Sequence, residues 1–489
     1  MGDTKPTALQ ATRRCDGEVA EPLSIHAASD IATPKNWQMN FVTAGAWVGA
    51  ARVLGVVLTF VSNVALARLL SPADFGEFLL IASAIGVFST IAMFGLNSVM
   101  VRFVGESVGR IDRQSVRCLF RYIRALAIPS ICLVGLLSPM ALRCLFPDLD
   151  WTATLLSAIS IAIMLVAAQQ IMAEGLRGFH DQRWASLLSG GQISGPLTSL
   201  LLITFVSLLA CSGRLTLQSV LWLTDLALFI TAVIAAYCLR RVACRWFRSA
   251  ENGSEPVNPS NMLWRDIIWV AAPLMLMQVL MFVTTQSDVW IAGLCFNSDS
   301  VALYGVARRV AATVGMLPQI AGVALCAPIA TLNSQGDHAQ MRALLRTSAT
   351  FAALPSLIAC LFLIVNGGHV LEVCFGQFYG QAAGSLAILL LGQAVIALFG
   401  SCGYVLIMTG HQNAALLINA VSTGLLLTIG PWAAEHYGLT GLSCVSSIVL
   451  ALQTLFTWCS ARWLVGVWTH AQWRSILLFK ERMAIASLE

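Results

Sequence analysis

Five charged residues interrupt long apolar stretches of the sequence, where their side chains could bind ions or charged groups. Three are cationic and two are acidic: Arg52, Arg308, Arg309, Asp225 and Asp288. If these stretches lie in a lipid bilayer, a charged side chain at the centre costs about 2.5 to 3.5 kcal/mol. Each of the five is therefore expected to have a partner, to contact water or to take part in function.

The three arginines are suited to binding phosphate, because a guanidinium group stays charged and donates parallel hydrogen bonds to phosphate oxygens. Arg52 lies about 12 residues, or roughly 18 Å, into its apolar stretch and cannot easily reach either surface. Arg308 and Arg309 are about 100° apart on a helix, so only one can face a given cavity and the other is expected to extend outward. We expect Arg52 and one of this pair to form a basic floor for a ligand that carries phosphate. The alternative is a salt bridge within the membrane.

The two aspartates also allow two interpretations. A carboxyl group in apolar surroundings can take up and release a proton, and so can exchange a coupling ion. It can equally be the fixed partner of an arginine. We expect the second role for Asp288, whereas both roles remain open for Asp225.

The sequence does not indicate a metal, a cofactor, ATP or nucleic acid as a ligand. The 14 Cys residues are scattered singly, and His180 and His411 lie in predicted turns without a third metal ligand. No GxxxxGK[ST] motif is present, so direct use of ATP is not expected. Glu77 and Glu174 are expected near span ends, within reach of water. Glutamines in the spans, such as Gln169, either line a wet path or bond between helices.

The apolar stretches themselves predict an all-α integral membrane protein. Hydrophobic residues make up 57% of the 489 residues and charged residues 11%, whereas a soluble domain has about a quarter charged residues. Taking about 20 apolar residues per crossing, we predict twelve transmembrane helices. They lie near residues 42–67, 77–99, 122–142, 151–172, 185–209 and 218–239, and near 267–293, 302–328, 348–366, 384–408, 413–433 and 440–464.

Polar segments divide these spans into two sets of six. The predicted organisation is a disordered cytoplasmic tail (1–40), an N-terminal six-helix lobe (41–239), a cytoplasmic linker (240–266), a C-terminal six-helix lobe (267–465) and a cytoplasmic tail (466–489). With the N-terminus inside, 23 of the 29 basic residues fall in cytoplasmic segments and three fall outside. Because positively charged loops stay in the cytoplasm, both termini are predicted to be cytoplasmic.

The two sets of spans are predicted to be copies of one another. Phe75-Gly76 recurs as Tyr304-Gly305, and Phe146 recurs as Phe375, at the same distance along the chain. Six spans separate the copies, so both enter the membrane from the same side, as parallel repeats related by a pseudo-two-fold axis along the membrane normal. A central cavity between two lobes is the expected result.

Particular segments resemble bacterial oligosaccharide-lipid and polysaccharide flippases of the multidrug/oligosaccharidyl-lipid/polysaccharide (MOP) exporter superfamily. They are ALARLLSPADFGEF (65–78), GLRGFHDQRWAS (175–186), SDSVALYGVARRVA (298–311), LCAPIATL (325–332) and CFGQFYGQAAGSLAILL (374–390). Each segment alone is loosely specific, but their order and spacing fit the family from residue 40 to about residue 465.

The resemblance implies a MOP/MATE-like transporter of the bacterial cytoplasmic (inner) membrane and not an enzyme. Its substrate would be a polyprenyl-diphosphate-linked oligosaccharide for surface polysaccharide or exopolysaccharide, carried from the inner to the outer leaflet by alternating access. Membrane lipid and a polysaccharide polymerase or export machinery are the implied partners.

Three rival functions remain. A drug or small-cation antiporter of the same superfamily should have an acidic or aromatic cavity, and the basic Arg52 argues against it. A glycan polymerase or ligase needs polar catalytic groups in a sizeable outer loop, and the predicted outer loops are short. A scaffold in a glycan assembly complex is made less attractive by the charges within the spans.

Overall fold

The computed structural model describes residues 34–109, 113–147, 151–189, 195–210, 215–249 and 264–472, all of them in helices or in the turns that connect helices. Predictions for residues 1–33, 250–263 and 473–489, which include most of both tails and half of the linker, lie outside the described residues. The chain from Ala46 onward forms one compact unit.

Within the described residues, the first half of the chain contains eight helices. They are α1 (Pro34–Leu69), α2 (Pro72–Ala92), α3 (Leu96–Gly109), α4 (Arg113–Leu145), α5 (Ala153–Gly178), α6 (Gln182–Leu188), α7 (Pro196–Ala210) and α8 (Leu217–Ser249). The start of α2 shows the usual features of a helix N-terminus. Pro72 occupies the first turn of α2, and the Ser71 side chain accepts a hydrogen bond of 3.1 Å from the Asp74 backbone N–H, which satisfies a donor at the helix N-terminus.

The second half contains six helices and one 3₁₀ turn. They are α9 (Trp264–Cys295), α10 (Ser298–Gln335), α11 (His338–Phe375), the 3₁₀ turn Gln377–Ala382, α12 (Ala383–Phe399), α13 (Cys402–Met408) and α14 (Gln412–Val465). The same distance along the chain separates the starts of α1 and α9, of α5 and α12, and of α6 and α14. The helix starts thus recur at nearly the spacing found in the sequence.

The predicted second span is broken in the structure. Phe94 and Gly95 both have positive φ, of 48° and 70°, and they separate α2 from α3. Gly95 also lies against α9, because a Cβ there would come within 2.3 Å of the Ala271 carbonyl oxygen. The predicted fifth span is likewise divided into α6 and α7.

The last two predicted spans form one long helix with a break in its backbone. Gly438 has φ 65° and ψ −153°, a conformation essentially restricted to glycine. The Gln453 amide donates to the Asn419 side chain, although an uninterrupted helix would place these residues about 50 Å apart. The two segments of α14 therefore fold back on one another at Gly438.

The described residues contain nine helices that are long and apolar enough to cross a membrane, or ten if the two segments of α10, bent by 42°, count as one span. This number counts α14 once and leaves out α7, which is shorter. The predicted total of twelve crossings stays a prediction.

The two halves pack through the glycines that mark the repeat. A Cβ on Gly76 of α2 would come within 2.0 Å of the Ser298 carbonyl oxygen, and one on Gly305 of α10 within 2.4 Å of the Leu79 side chain. Their neighbours Phe75 and Tyr304 are fully buried. Small residues thus let α2 and α10 approach closely at equivalent positions.

Candidate functional site

The Arg308 side chain forms an ion pair with Asp288. Its Nε lies 2.7 Å from an Asp288 carboxylate oxygen, and a second guanidinium nitrogen donates to the Thr285 carbonyl at 3.2 Å. The Tyr304 hydroxyl donates to the same Asp288 oxygen at 3.0 Å and lies 3.1 Å from the Ser446 hydroxyl. Asp288 is therefore the fixed partner of an arginine, as the sequence predicted, in a network that joins α9, α10 and α14.

The ion pair lies in the wall of a polar cavity of about 140 Å³ within the second half, here called the second-half pocket. Apolar side chains line part of this wall, and amide and hydroxyl groups from α9, α12 and α14 also line it: Thr284, Thr285, Gln393, Asn419, Ser446, Ser447 and Gln453. Such groups can donate to and accept from the hydroxyls of a sugar.

Arg309 lines a different cavity. It lies on α10 in the second half, but it faces a cavity of about 70 Å³ in the first half, here called the first-half pocket. Hydroxyl and amide groups of α1, α7 and α8 share this wall: Thr59, Ser62, Asn63, Thr198, Ser199 and Thr224. The Thr59 and Ser199 hydroxyls lie 3.3 Å apart. Both arginines thus line interior cavities, and the expectation that one would extend outward is wrong.

Arg52 lies between the two halves. Its charge acts on Glu174 of α5 in the first half, and on Cys326 of α10 and Tyr404 of α13 in the second. The side chain is half-buried, and no described residue makes a hydrogen bond or an ion pair with its guanidinium group. The structure thus places a third cationic group in the interior, on α1.

Glu174 also has a closer partner, because it forms an ion pair with Arg177 one turn further along α5. Arg177 in turn donates to the Ser189 hydroxyl at 2.9 Å. The sequence suggested a carboxylate hydrated at a span end. The structure shows instead that Glu174 is held by an ion pair with Arg177.

Asp225 stands apart from these arginines. It is buried in α8, and neither carboxylate oxygen has a hydrogen-bond partner among the described residues. The adjacent Thr224 lines the first-half pocket, whereas Asp225 does not. Asp225 therefore has no arginine partner in the part of the chain that the structure describes.

The remaining polar candidates have structural roles. Gln169 accepts a hydrogen bond of 3.1 Å from the Thr231 hydroxyl and donates to the Leu188 carbonyl at 2.8 Å, which links α5 to α8 and α6. His180 occupies a left-handed turn with φ 63°. Within the described ranges, no group of three His, Cys, Asp or Glu residues could hold a metal ion.

The sequence analysis did not find the hydroxyl groups of the first-half pocket. Thr59, Ser62 and Asn63 share one face of α1 at the i, i+3, i+4 spacing, and this pattern was a usable signal. No sequence signal pointed to Tyr304 and Ser446 as members of the Asp288 network, because these residues lie 142 positions apart in the chain.

Solved membrane transporters share this fold. An inward-facing multidrug resistance MATE family transporter of the MOP superfamily matches with a TM-score of 0.69 and 14% identity, over 86% of this chain and 98% of that one. The lipid II flippase MurJ matches in an inward closed conformation, with a TM-score of 0.60 and 11% identity, over 86% and 87%. A Vibrio cholerae MATE transporter in the bent form matches with a TM-score of 0.53 and 15% identity, over 86% and 97%.

These similarities and the apolar helices establish a multi-pass membrane protein with the MOP transporter fold. The comparison with curated proteins finds no match. The model of one protein family, described as polysaccharide biosynthesis protein, matches residues 42–329, more than half of the chain. The chain belongs to this polysaccharide biosynthesis protein family.

Proposed function

We propose that this protein carries a lipid-diphosphate-linked oligosaccharide from the inner to the outer leaflet of the bacterial cytoplasmic membrane, by alternating access, for surface or exopolysaccharide synthesis. The observation that carries the proposal is the cationic interior. Arg52, Arg308 and Arg309 place guanidinium groups within apolar helices, and Arg52 has charged and polar neighbours from both halves. A diphosphate headgroup supplies the opposite charge that the Arg52 guanidinium group requires.

The three arginines have different parts in this proposal. Arg52 has no ionic partner of its own in the described part of the chain, so its charge is available for the diphosphate. Arg308 is largely neutralised by Asp288, so it holds the wall of the second-half pocket in place. Arg309 and the hydroxyl-rich lining of the first-half pocket are suited to an anionic, hydroxylated headgroup.

The proposed transport cycle uses the two halves as lobes. Residues 41–239 and 267–465 form the lobes, and the linker 240–266 lies on the cytoplasmic side together with both termini. The recurrence of helix starts at a constant spacing supports this division. Rocking of the lobes would expose Arg52 alternately to the two faces of the membrane.

The test is a flipping assay in proteoliposomes with a fluorescent lipid-diphosphate oligosaccharide. Arg52→Ala should lower the flipping rate at least tenfold, because a hydrogen bond to a charged group is worth about 1.5 to 3 kcal/mol. Arg52→Lys should retain part of the rate, since the charge remains. Arg143→Ala is the control, because Arg143 lies exposed in the last turn of α4. Undiminished flipping by Arg52→Ala at normal abundance would remove Arg52 from the site.

A drug or small-cation antiporter is the second candidate function. The observation that favours it is Asp225, a buried carboxylate without a hydrogen-bond partner among the described residues, which could bind a proton or a cation. Extrusion of a cationic dye from proteoliposomes that disappears in Asp225→Asn, combined with no flipping of the lipid substrate, would establish this function instead.

A further inference from the structure

A large groove lies on the side of the first half. It measures about 740 Å³ and lies between α4 and α8, over a floor that α5 provides. It shares no lining residue with either of the polar pockets. The groove is therefore separate from the proposed transport site.

One end of the groove is basic. Arg117, Arg121 and Arg124 follow one another at i, i+4 and i+7 on one face of α4, and Arg240 of α8 completes the group. All four are exposed. Arg117 lies 5.2 Å from the centre of the Phe247 ring, whereas no described residue pairs with the other three. The groove lining contains no carboxylate.

The rest of the groove is apolar. The face of α4 that carries the arginines continues with Ile128 and Ile131, and Ala168, Ile171 and Met172 of α5 form the floor. Ile128 is 59% exposed, so the groove opens sideways onto the surface that faces lipid. The guanidinium groups at one end match the headgroup of an anionic lipid, and the apolar channel beyond them matches its acyl chains.

In the second half, the segment 466–472 fills the equivalent position. At the spacing that relates Phe75 to Tyr304, Arg117 and Arg121 correspond to Arg346 and Thr350 of α11. Arg346 donates to the Gln472 side chain at 2.7 Å, and the Gln472 backbone N–H donates to Thr350 at 3.0 Å. The segment 466–472 thus covers this position in the second half.

The two halves differ because α14 ends at Val465, whereas α8 continues as a helix to Ser249. In the first half no described segment turns back over α5. The corresponding groove is left open, with a basic end and an apolar floor.

We propose that the groove between α4 and α8 binds a membrane phospholipid with an anionic headgroup. The phosphate group contacts Arg121, Arg124 and Arg240, and an acyl chain lies along Ile128 and Ile131. The chain's own segment 250–263 is a poorer occupant, because it is polar and proline-containing and could match only the basic end. This lipid site is independent of the substrate that the transporter carries.

Native mass spectrometry of the full-length protein tests the proposal, with phosphatidylglycerol, phosphatidylcholine and inorganic phosphate as separate probes. We expect phosphatidylglycerol to bind most tightly. The double variant Arg121→Gln/Arg124→Gln should weaken its binding about 30-fold, at about tenfold per 1.4 kcal/mol and about 1 kcal/mol per basic residue. Arg241→Gln/Arg245→Gln removes the same charge from α8 residues outside the groove lining and should change binding less than threefold.

A second pair of variants tests the apolar part. Ala236→Trp places a large side chain in the groove and should weaken phosphatidylglycerol binding, whereas Val233→Trp on the lipid-facing side of α8 should not. Unchanged melting temperatures would show that all variants fold.

Three results would overturn the proposal: equal binding of phosphatidylglycerol and phosphatidylcholine, phosphate binding as tight as that of the lipid, or equal losses in the two arginine pairs. Failure of the wild type to bind lipid, with binding restored by Glu251→Gln/Glu255→Gln, would assign the groove to segment 250–263 instead.

Discussion

At the scale of single residues, adjacent arginines on one helix have unlike environments. Arg308 lines the second-half pocket and is paired with Asp288, whereas Arg309 lines the first-half pocket among hydroxyl groups. The turn of about 100° between neighbours on a helix directs the two guanidinium groups into different halves. Adjacent positions in the chain therefore do not give these two arginines the same surroundings.

The ion pair makes a prediction about stability. Asp288→Asn leaves the Arg308 charge uncompensated and weakens the hydrogen bond from Tyr304, so the protein should lose about 3 kcal/mol of unfolding free energy. The double variant Asp288→Asn/Arg308→Gln should lose less than the sum of the two single variants, because the residues are coupled. Chemical denaturation in detergent measures both values. Additive losses would contradict the coupling.

At the scale of elements, close packing of α2 against α10 depends on glycine. Gly76→Ala places a methyl group where the Ser298 carbonyl oxygen lies, so the two helices must separate. We expect a loss of about 1 to 3 kcal/mol, the usual cost of overpacking.

The matched control for this substitution is Gly424→Ala in α14. A Cβ there meets nothing within 4 Å, and alanine favours helix by up to about 1 kcal/mol over glycine. Thermal unfolding of both variants in the same detergent distinguishes the two effects. Equal melting temperatures would show that α2 and α10 can separate freely.

Much of the helical architecture could be predicted from the sequence, because long apolar runs must form helices in a bilayer. The spans that became α4, α5, α8, α9 and α11 were all expected. The break at Phe94 could not be predicted, since a bulky residue with positive φ has no local signal and depends on the packing of Gly95 against Ala271. The break at Gly438 was expected in contrast, because it lies between the predicted spans 413–433 and 440–464.

The candidate site was predicted in composition but not in arrangement. The cost of charge in an apolar segment identified Arg52, Asp225, Asp288, Arg308 and Arg309 from residue type alone. The partners of these residues come from distant parts of the chain, such as Ser446 for Tyr304. Only the packing of helices brings them together, so periodicity within one helix could not reveal them.

At the scale of the whole molecule, the two halves contact each other where α1 ends. Arg68, in the last turn of α1, donates to the carbonyl oxygens of Val373 and Cys374 at the end of α11. A cation is favourable there because helix carbonyls at a C-terminus carry partial negative charge. Glu77 of α2 accepts a hydrogen bond from Ser298 at the start of α10. The proposed alternating access would require these contacts to break.

Arg68→Ala should therefore loosen the contact between the halves at that end. We expect modification of Cys374 by a water-soluble maleimide to become about fivefold faster or more, because hydrogen bonds to charged groups are worth about 1.5 to 3 kcal/mol each. Peptide mass spectrometry measures the rate, with the exposed Cys144 as internal reference. Arg183→Ala, which removes an exposed arginine of α6, is the matched control, and equal rates in the two variants would contradict the prediction.

The shared origin of Arg308 and Arg309 on α10 has a mechanical consequence. A rotation of α10 about its own axis that withdraws one guanidinium group from its pocket must also displace the other, because successive side chains on a rigid helix turn together. The charge available to one half therefore cannot change independently of the charge available to the other.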